Sequence, residues 1–217
     1  MASLLKIEVF SDVICPWCFI GKRRLDSVLK NGGVGEIELE WKPYQLYPHL
    51  PAAGIARRAF LRARYGESQD DGRTPERIRI EAEEVGIRFD YASIDRVPNT
   101  LSAHRLLAMA GETGHQHALA ETLFRAYFCD GSDIGAITTL VECAATVGMN
   151  SSTVKDFLDS DEGVDATLRE IARAADVGVV GVPCYRLGDA FLLPGAQMPD
   201  VMIQFIDRAK KRLAEME

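Results

Sequence analysis

No stretch of this 217-residue chain approaches the roughly 20 consecutive apolar residues that cross a bilayer, so nothing in it reads as a membrane helix. A basic excess is missing too. With 25 Lys and Arg against 32 Asp and Glu the formal charge is −7, which argues against nucleic acid or an anionic membrane as the main partner. The runs Arg57-Arg58 and Lys210-Lys211-Arg212 are too short to change that, and read as solvated helix faces. Cysteines number five, an odd count without the even framework of a stapled secreted domain, and suit a reducing compartment. A cleavable leader is not expected either, because the N-terminal apolar stretch runs directly into the cysteine motif and cleavage would remove it. The expected protein therefore starts near Met1 and is cytoplasmic, and Asn150-Ser151-Ser152 is a glycosylation sequon by letter only. At 47% hydrophobic and 26% charged residues the composition is that of a soluble globular chain, long enough for one large domain or one domain with an insertion.

What the sequence does contain is Cys15-Pro16-Trp17-Cys18, placed where an apolar strand, Leu4 to Phe10, hands over to a helix. Thiols three positions apart on one helical face can close a disulfide with each other. The first, at the helix N-terminus, meets unpaired backbone N–H groups that favour a thiolate. A cysteine so placed has its pKa lowered from about 8.5 into a range of roughly 3.5 to 7.5, which makes Cys15 the attacking sulfur and Cys18 the resolving one. Pro16 suits the first helical turn, where its missing N–H is no loss. Zinc would require two more ligands at matching spacing, and Cys129, Cys143 and Cys184 stand apart with no H-x-x-x-H, so no metal is expected. A c-type haem would require His after Cys18, where Phe19 stands. Burial of both thiols in a core is the remaining alternative.

Around this motif the pattern predicts strand, helix and strand: Leu4 to Phe10, then Cys15 to a stop at Asn31-Gly32-Gly33, then Ile37, Leu39 and Trp41 alternating with glutamates. An extended connection, Tyr44 to Leu50, leads into more than 100 residues of helical pattern. Its first pieces are Ala56 to Tyr65, a helix capped by Thr74-Pro75-Glu76, and one capped by Asn99. His115 to Cys129, Ala136 to Val147 and Ser152 to Leu158 continue it. A helix over Glu162 to Asp176 has Leu168, Ile171 and Ala172 inward. Then come a hairpin, Val182 to Leu187 and Ala190 to Leu193 about Gly188-Asp189, and a closing helix, Pro199 to Met216, with Val201, Met202, Phe205, Ile206 and Leu213 on its core face.

The run Ser11 to Lys22, S-D-V-I-C-P-W-C-F-I-G-K, resembles the DsbA-like thioredoxin superfamily, in its FrnE-like or 2-hydroxychromene-2-carboxylate isomerase-like branch. Pro98-Asn99-Thr100 with Ala103-His104-Arg105, Ala126-Tyr127-Phe128 with Gly131 and Asp133-Ile134, and Gly178 to Pro183 leading to Gly195-Ala196-Gln197 fit the same branch, over nearly the whole chain. The resemblance implies an α/β thioredoxin fold, residues 1–45 and 160–217, carrying a large all-helical insertion, residues 46–159. It implies a thiol–disulfide oxidoreductase acting on a disulfide or dithiol, protein or small molecule. No cofactor is tightly bound, glutathione is the candidate co-substrate, and the state is monomer or homodimer. The alternative is a glutathione-dependent isomerase or transferase; relatives of that kind generally carry serine where Cys15 stands.

Alone, Val182-Pro183 reads as an ordinary trans proline opening an edge strand. The resemblance implies instead a cis proline against the active-site sulfurs, with the Val182 backbone turned to an extended substrate. Pro16 and Trp17 are expected on the substrate surface. Asn99 reads as a helix cap and His104 as a satisfied structural histidine, or both as polar contacts to substrate or glutathione. Asp12 reads as a cap at the helix start or as a proton acceptor for Cys18. Cys184 reads as a small buried hydrophobe or as a third exchanging thiol, and Cys129 and Cys143 as core or partly exposed thiols.

Overall fold

In a computed structural model, which describes residues 5–31, 33–66, 73–188 and 190–216, the first strand is β1 (Leu5–Ser11), buried throughout except at Lys6. A sharp turn, closed by Cys15 N–H donating to the Asp12 carbonyl at 2.9 Å, leads to α1 (Pro16–Asn31) and then β2 (Ile37–Pro43). Leu4, Gly32 and Asp189, which the sequence pattern assigns to a strand start, a helix stop and a turn, lie outside the described residues. The chain continues through β3 (Ile55–Ala56), α2 (Arg57–Tyr65), α3 (Glu76–Glu84), a 3-10 turn at Tyr91–Ser93 and β4 (Arg96–Val97). There follow α4 (Leu101–Glu112), α5 (Gln116–Phe128), α6 (Ile137–Thr146), α7 (Ser151–Asp159), α8 (Val164–Asp176), β5 (Cys184–Leu187), β6 (Phe191–Pro194) and α9 (Pro199–Met216).

The larger sheet runs β2-β1-β5-β6. β1 is parallel to β2, with α1 as the crossover such a pair requires, and antiparallel to β5, with Val9 opposite Tyr185 and Phe10 opposite Cys184. Both ends of the chain thus meet in one sheet, and α2 to α8 lie in the sequence between them. This is the α/β, DsbA-like thioredoxin fold with its helical content that the resemblance implies.

Five local readings change. α3 has Pro75 at its N-cap with no side-chain hydrogen bond, so Thr74 does not cap it. The strand pair β3 and β4 has two residues on each side and no sequence pattern to announce it. The first hairpin strand starts at Cys184, because the residues before it form the active-site loop. On α8, Leu168 is 44% exposed and Ala172 is exposed, while Thr167 and Ala174 face inward. The physical reason is a buried carboxylate. Glu8 of β1 takes Arg173 Nη1 at 2.9 Å, and Glu170 beside it pairs with Lys42 of β2 at 3.0 Å, which turns α8 by its charged side toward the sheet. Val201 of α9 is likewise exposed, and Met202, Ile206 and Ala209 carry the contact.

α1 is held from both sides. Phe19 stacks on Phe124 of α5 with centroids 5.1 Å apart and is fully buried. Arg24, also buried, pairs with Glu81 of α3 and donates to the Ala196 carbonyl at 2.6 Å.

Candidate active site

Cys15 and Cys18 are not joined by a disulfide and both are buried, one before α1 and one in its first turn. The Cys15 carbonyl accepts from Cys18 N–H at 3.0 Å and from Phe19 N–H at 3.3 Å, so the helical ladder begins at the pair itself. The Cys15 Sγ lies 3.8 Å from the Val182 carbonyl. The Val182–Pro183 bond is cis, and the Pro183 carbonyl accepts from Gly195 N–H at 2.7 Å. Two segments 167 residues apart in sequence therefore form one wall of the site. Gly21 allows that approach: a Cβ there would stand 2.5 Å from the Tyr185 hydroxyl and 3.1 Å from Pro183 Cγ.

The two thiols differ in environment. Burial pushes the Cys18 thiol well above its ordinary range, and its hydrogen bond with Cys15 adds to that, while the Ser11 hydroxyl and the Asp12 backbone work the other way. Pro16 and Trp17 remain half-buried, and Arg77 of α3 sits over the Trp17 ring at 5.2 Å.

Asp12 is wholly buried. Its Oδ2 accepts from Leu46 N–H at 2.7 Å, and Oδ1 faces Ile14 N–H and His104 Nε2, each at 3.5 Å. His104 Nε2 lies closer to the Tyr44 carbonyl, 3.0 Å, which assigns it the proton. Asn99 does take the Leu101 N–H at the start of α4, but it also donates to the Leu50 carbonyl and accepts from Gln45. Asp12, His104 and Asn99 together thus fasten the 44–50 connection beside the cysteines, and their polar atoms engage the chain itself. Cys184 packs with Phe10, Ala174 and Val179 on the sheet face away from α1, its thiol pushed up by burial to about 11. The structure adopts the buried-hydrophobe alternative for it. Cys143 is likewise pushed up by burial to about 11, and half-buried Cys129 is raised for the same reason.

A cavity of about 400 Å³ opens beside Ile14 and Pro16, lined by Tyr47, Phe60, Tyr91 and Tyr127 among others. Burial holds the Tyr91 and Tyr127 phenols protonated. A larger cleft, about 950 Å³, lies between β2 and helices α4, α7 and α8, with no cysteine in its lining. Of the two, the smaller one flanks the motif. Sequence reading gives no role to these tyrosines, to Ser11 or to Tyr185, although Ser11 and Tyr127 stand in stretches that carry the resemblance. Ser11 shares the strand parity of Val9, and the register with β5 brings Tyr185 to the same face.

The DSBA-like thioredoxin domain matches residues 6–207 of the chain. Uncharacterized protein YwbO of Bacillus subtilis is 26% identical over 208 residues, 95% of this chain and 98% of that protein. Among solved structures, probable DsbA oxidoreductase SCO1869 from Streptomyces coelicolor superposes with a TM-score of 0.84 at 28% identity, over 94% of this chain and 89% of that one. A 2-hydroxychromene-2-carboxylate isomerase (TM-score 0.67, 16% identity, 98% and 99% covered) and the cytosolic disulfide reductase DsbM from Pseudomonas aeruginosa with GSH (0.60, 16%, 97% and 98%) share the fold.

Proposed function

Since the chain belongs to the DSBA-like thioredoxin domain family, we propose that it is a thiol–disulfide oxidoreductase in which Cys15 exchanges with substrate and Cys18 resolves. The observation that carries this reading is the pair of cysteines at the strand-to-helix turn with the Val182 carbonyl across from Cys15. The assignment of roles rests on environment. Cys18 is buried and its thiol is pushed up, which suits a sulfur that acts only after the first bond has formed. Cys15 stands before α1, beside the half-buried surface of Pro16 and Trp17.

In the reducing direction the Cys15 sulfur attacks one sulfur of a substrate disulfide and the other leaves as a thiol. Cys18 then attacks Cys15, closes the Cys15–Cys18 disulfide and releases the second thiol. Two electrons pass from the enzyme dithiol to the substrate. Glutathione would return them as co-substrate, as two molecules of thiol becoming one disulfide, and the glutathione carried by DsbM on the same fold supports testing it first. Substrate would lie along Pro16, Trp17, Val182 and Pro183, and Asn99 and His104 hold the adjoining connection in place.

The test is the redox equilibrium in glutathione buffers of the wild type and of Cys15→Ser and Cys18→Ser. A reversible two-electron couple, lost in both variants, is the expected result. If no disulfide forms at any ratio while glutathione binds and an aromatic substrate turns over, the isomerase or transferase reading replaces this one.

A further inference from the structure

Two hydroxyls lie buried under the cysteine pair without a settled partner. Among the described residues Tyr185 OH and Ser11 Oγ have no partner at full hydrogen-bond geometry, Ser11 approaching only the Cys18 sulfur, and Ser11 and Tyr185 are 4% and 2% exposed. A buried hydroxyl left unpaired is costly, and such groups are rare enough to require a reason. Their placement supplies one. Val9 and Tyr185 are cross-strand partners and Ser11 is two residues along from Val9, so both side chains emerge on the face of the sheet that α1 covers. The Tyr185 hydroxyl stands 2.5 Å from where a Gly21 Cβ would be, one turn beyond Cys18 on α1. The Ser11 hydroxyl favours the charged form of Cys18, and a charge on Cys18 raises the Tyr185 phenol, so that sulfur and phenol lie within electrostatic reach of each other.

The resolving step, which rests on the oxidoreductase reading above, has a requirement that these groups meet. Once substrate is joined to Cys15, the Cys18 S–H bond breaks, its sulfur attacks Cys15 Sγ, the bond from Cys15 to substrate breaks, and the departing thiolate ends with the proton. Between losing its proton and forming the new bond, Cys18 carries negative charge in a buried place. The carboxylate of Asp12, buried just past β1, is already engaged by Leu46, Ile14 and His104. We propose that Ser11 and Tyr185 donate hydrogen bonds to Cys18 as it becomes a thiolate, and so set the rate of resolution without contacting substrate. Burial and the neighbouring Cys18 keep the Tyr185 phenol protonated, so it remains a donor through the working range of pH.

The titratable groups facing Cys18 are few: Cys15 on its own element, Asp12 at the end of β1 with His104 of α4 behind it, and Tyr185 on β5. Arg24, Asp26 and Cys184 act on Tyr185 from further off. Reduced protein is mixed with 5,5′-dithiobis(2-nitrobenzoate) in a stopped-flow instrument. Attack by Cys15 releases the first thionitrobenzoate, and resolution by Cys18 releases the second. The Cys15→Ser, Cys18→Ser double variant supplies the background from the other three thiols.

In Ser11→Ala and Tyr185→Phe the first phase keeps the wild-type rate. The second slows by about tenfold or more, the worth of a hydrogen bond to a charged group, and its pH midpoint rises. Ser11→Thr, which keeps the hydroxyl, restores the second phase. Tyr185→Phe removes an unpaired oxygen only, so its melting temperature does not fall. That separates the proposed role from a structural one, and Tyr185→Phe carries the test alone if Ser11→Ala does not fold. A second phase with unchanged rate and midpoint in both variants overturns the proposal. A wild type with no second phase dependent on Cys18 overturns the dithiol reading itself.

Discussion

At the scale of single residues the site depends on one missing side chain. Gly21 lets Tyr185, Pro183 and Ala196 close on α1, and a methyl group there would meet the Tyr185 oxygen first. Gly21→Ala is therefore expected to destabilise the protein by about 1–3 kcal/mol. Removing that oxygen with Tyr185→Phe in the same chain recovers part of the loss, because the two changes are in contact and do not add. Denaturant midpoints of the two single variants and the double variant measure the coupling. Simple additivity would mean that the obstruction lies with Pro183 instead. The cysteine pair was legible from its spacing, since three positions on a helix is a local relation. Ser11 and Tyr185 were not, because a serine at a strand end and a tyrosine in a strand are ordinary residues until the sheet places them under Cys18.

At the scale of elements, β2 is an edge strand whose exposed backbone is covered by one amide. Gln116, at the start of α5, accepts from Trp41 N–H at 2.8 Å and donates to the Trp41 carbonyl at 3.1 Å, as a neighbouring strand would. Gln116→Ala leaves both buried groups unpaired, at an expected cost of about 2–4 kcal/mol. A lowered melting temperature with increased light scattering at high protein concentration checks it. β1 carries the other element-scale feature. Burial raises the Glu8 carboxyl, but hydrogen bonds from Arg173 and Arg186 outweigh it and hold it below its usual range. A carboxyl that titrates lower in the folded chain than in the unfolded one adds stability above its unfolded pKa, about 4. That stability drains as pH falls through the folded value. Urea unfolding between about pH 6 and 3 should show a shallower acid loss in Glu8→Gln than in wild type, from a lower starting stability. Parallel curves would assign the acid loss to other carboxylates. Helix α8 shows why this was hidden from sequence: Leu168 looks like a core residue by periodicity, yet a buried ion pair decided which way the helix turned.

At the scale of the whole molecule, one residue secures the return of the chain from the helices to the sheet. Arg105 of α4 is buried and donates to the carbonyls of Phe157 and Glu162 at 2.9 Å and of Ser160 at 2.7 Å, with its guanidinium 5.0 Å over the Phe157 ring. A lysine lacks the planar fork, so Arg105→Lys should cost about 2–3 kcal/mol. Faster amide exchange over residues 157–164 should accompany it, with an unchanged potential for the Cys15–Cys18 couple. A shifted potential would mean that this latch also shapes the site. By itself the sequence determined the cysteine pair at a strand-to-helix turn, the order of the longer elements and the family, because each depends on local periodicity, turn chemistry or a motif of fixed spacing. Only the tertiary structure decided that Val182 faces Cys15 and that Tyr185 stands beside Val9 on the face that α1 covers. It likewise decided that Cys184 lies on the opposite side of the sheet. Those relations join residues more than 160 positions apart through sheet register, and a register shift of one residue would send every one of these side chains to the other face.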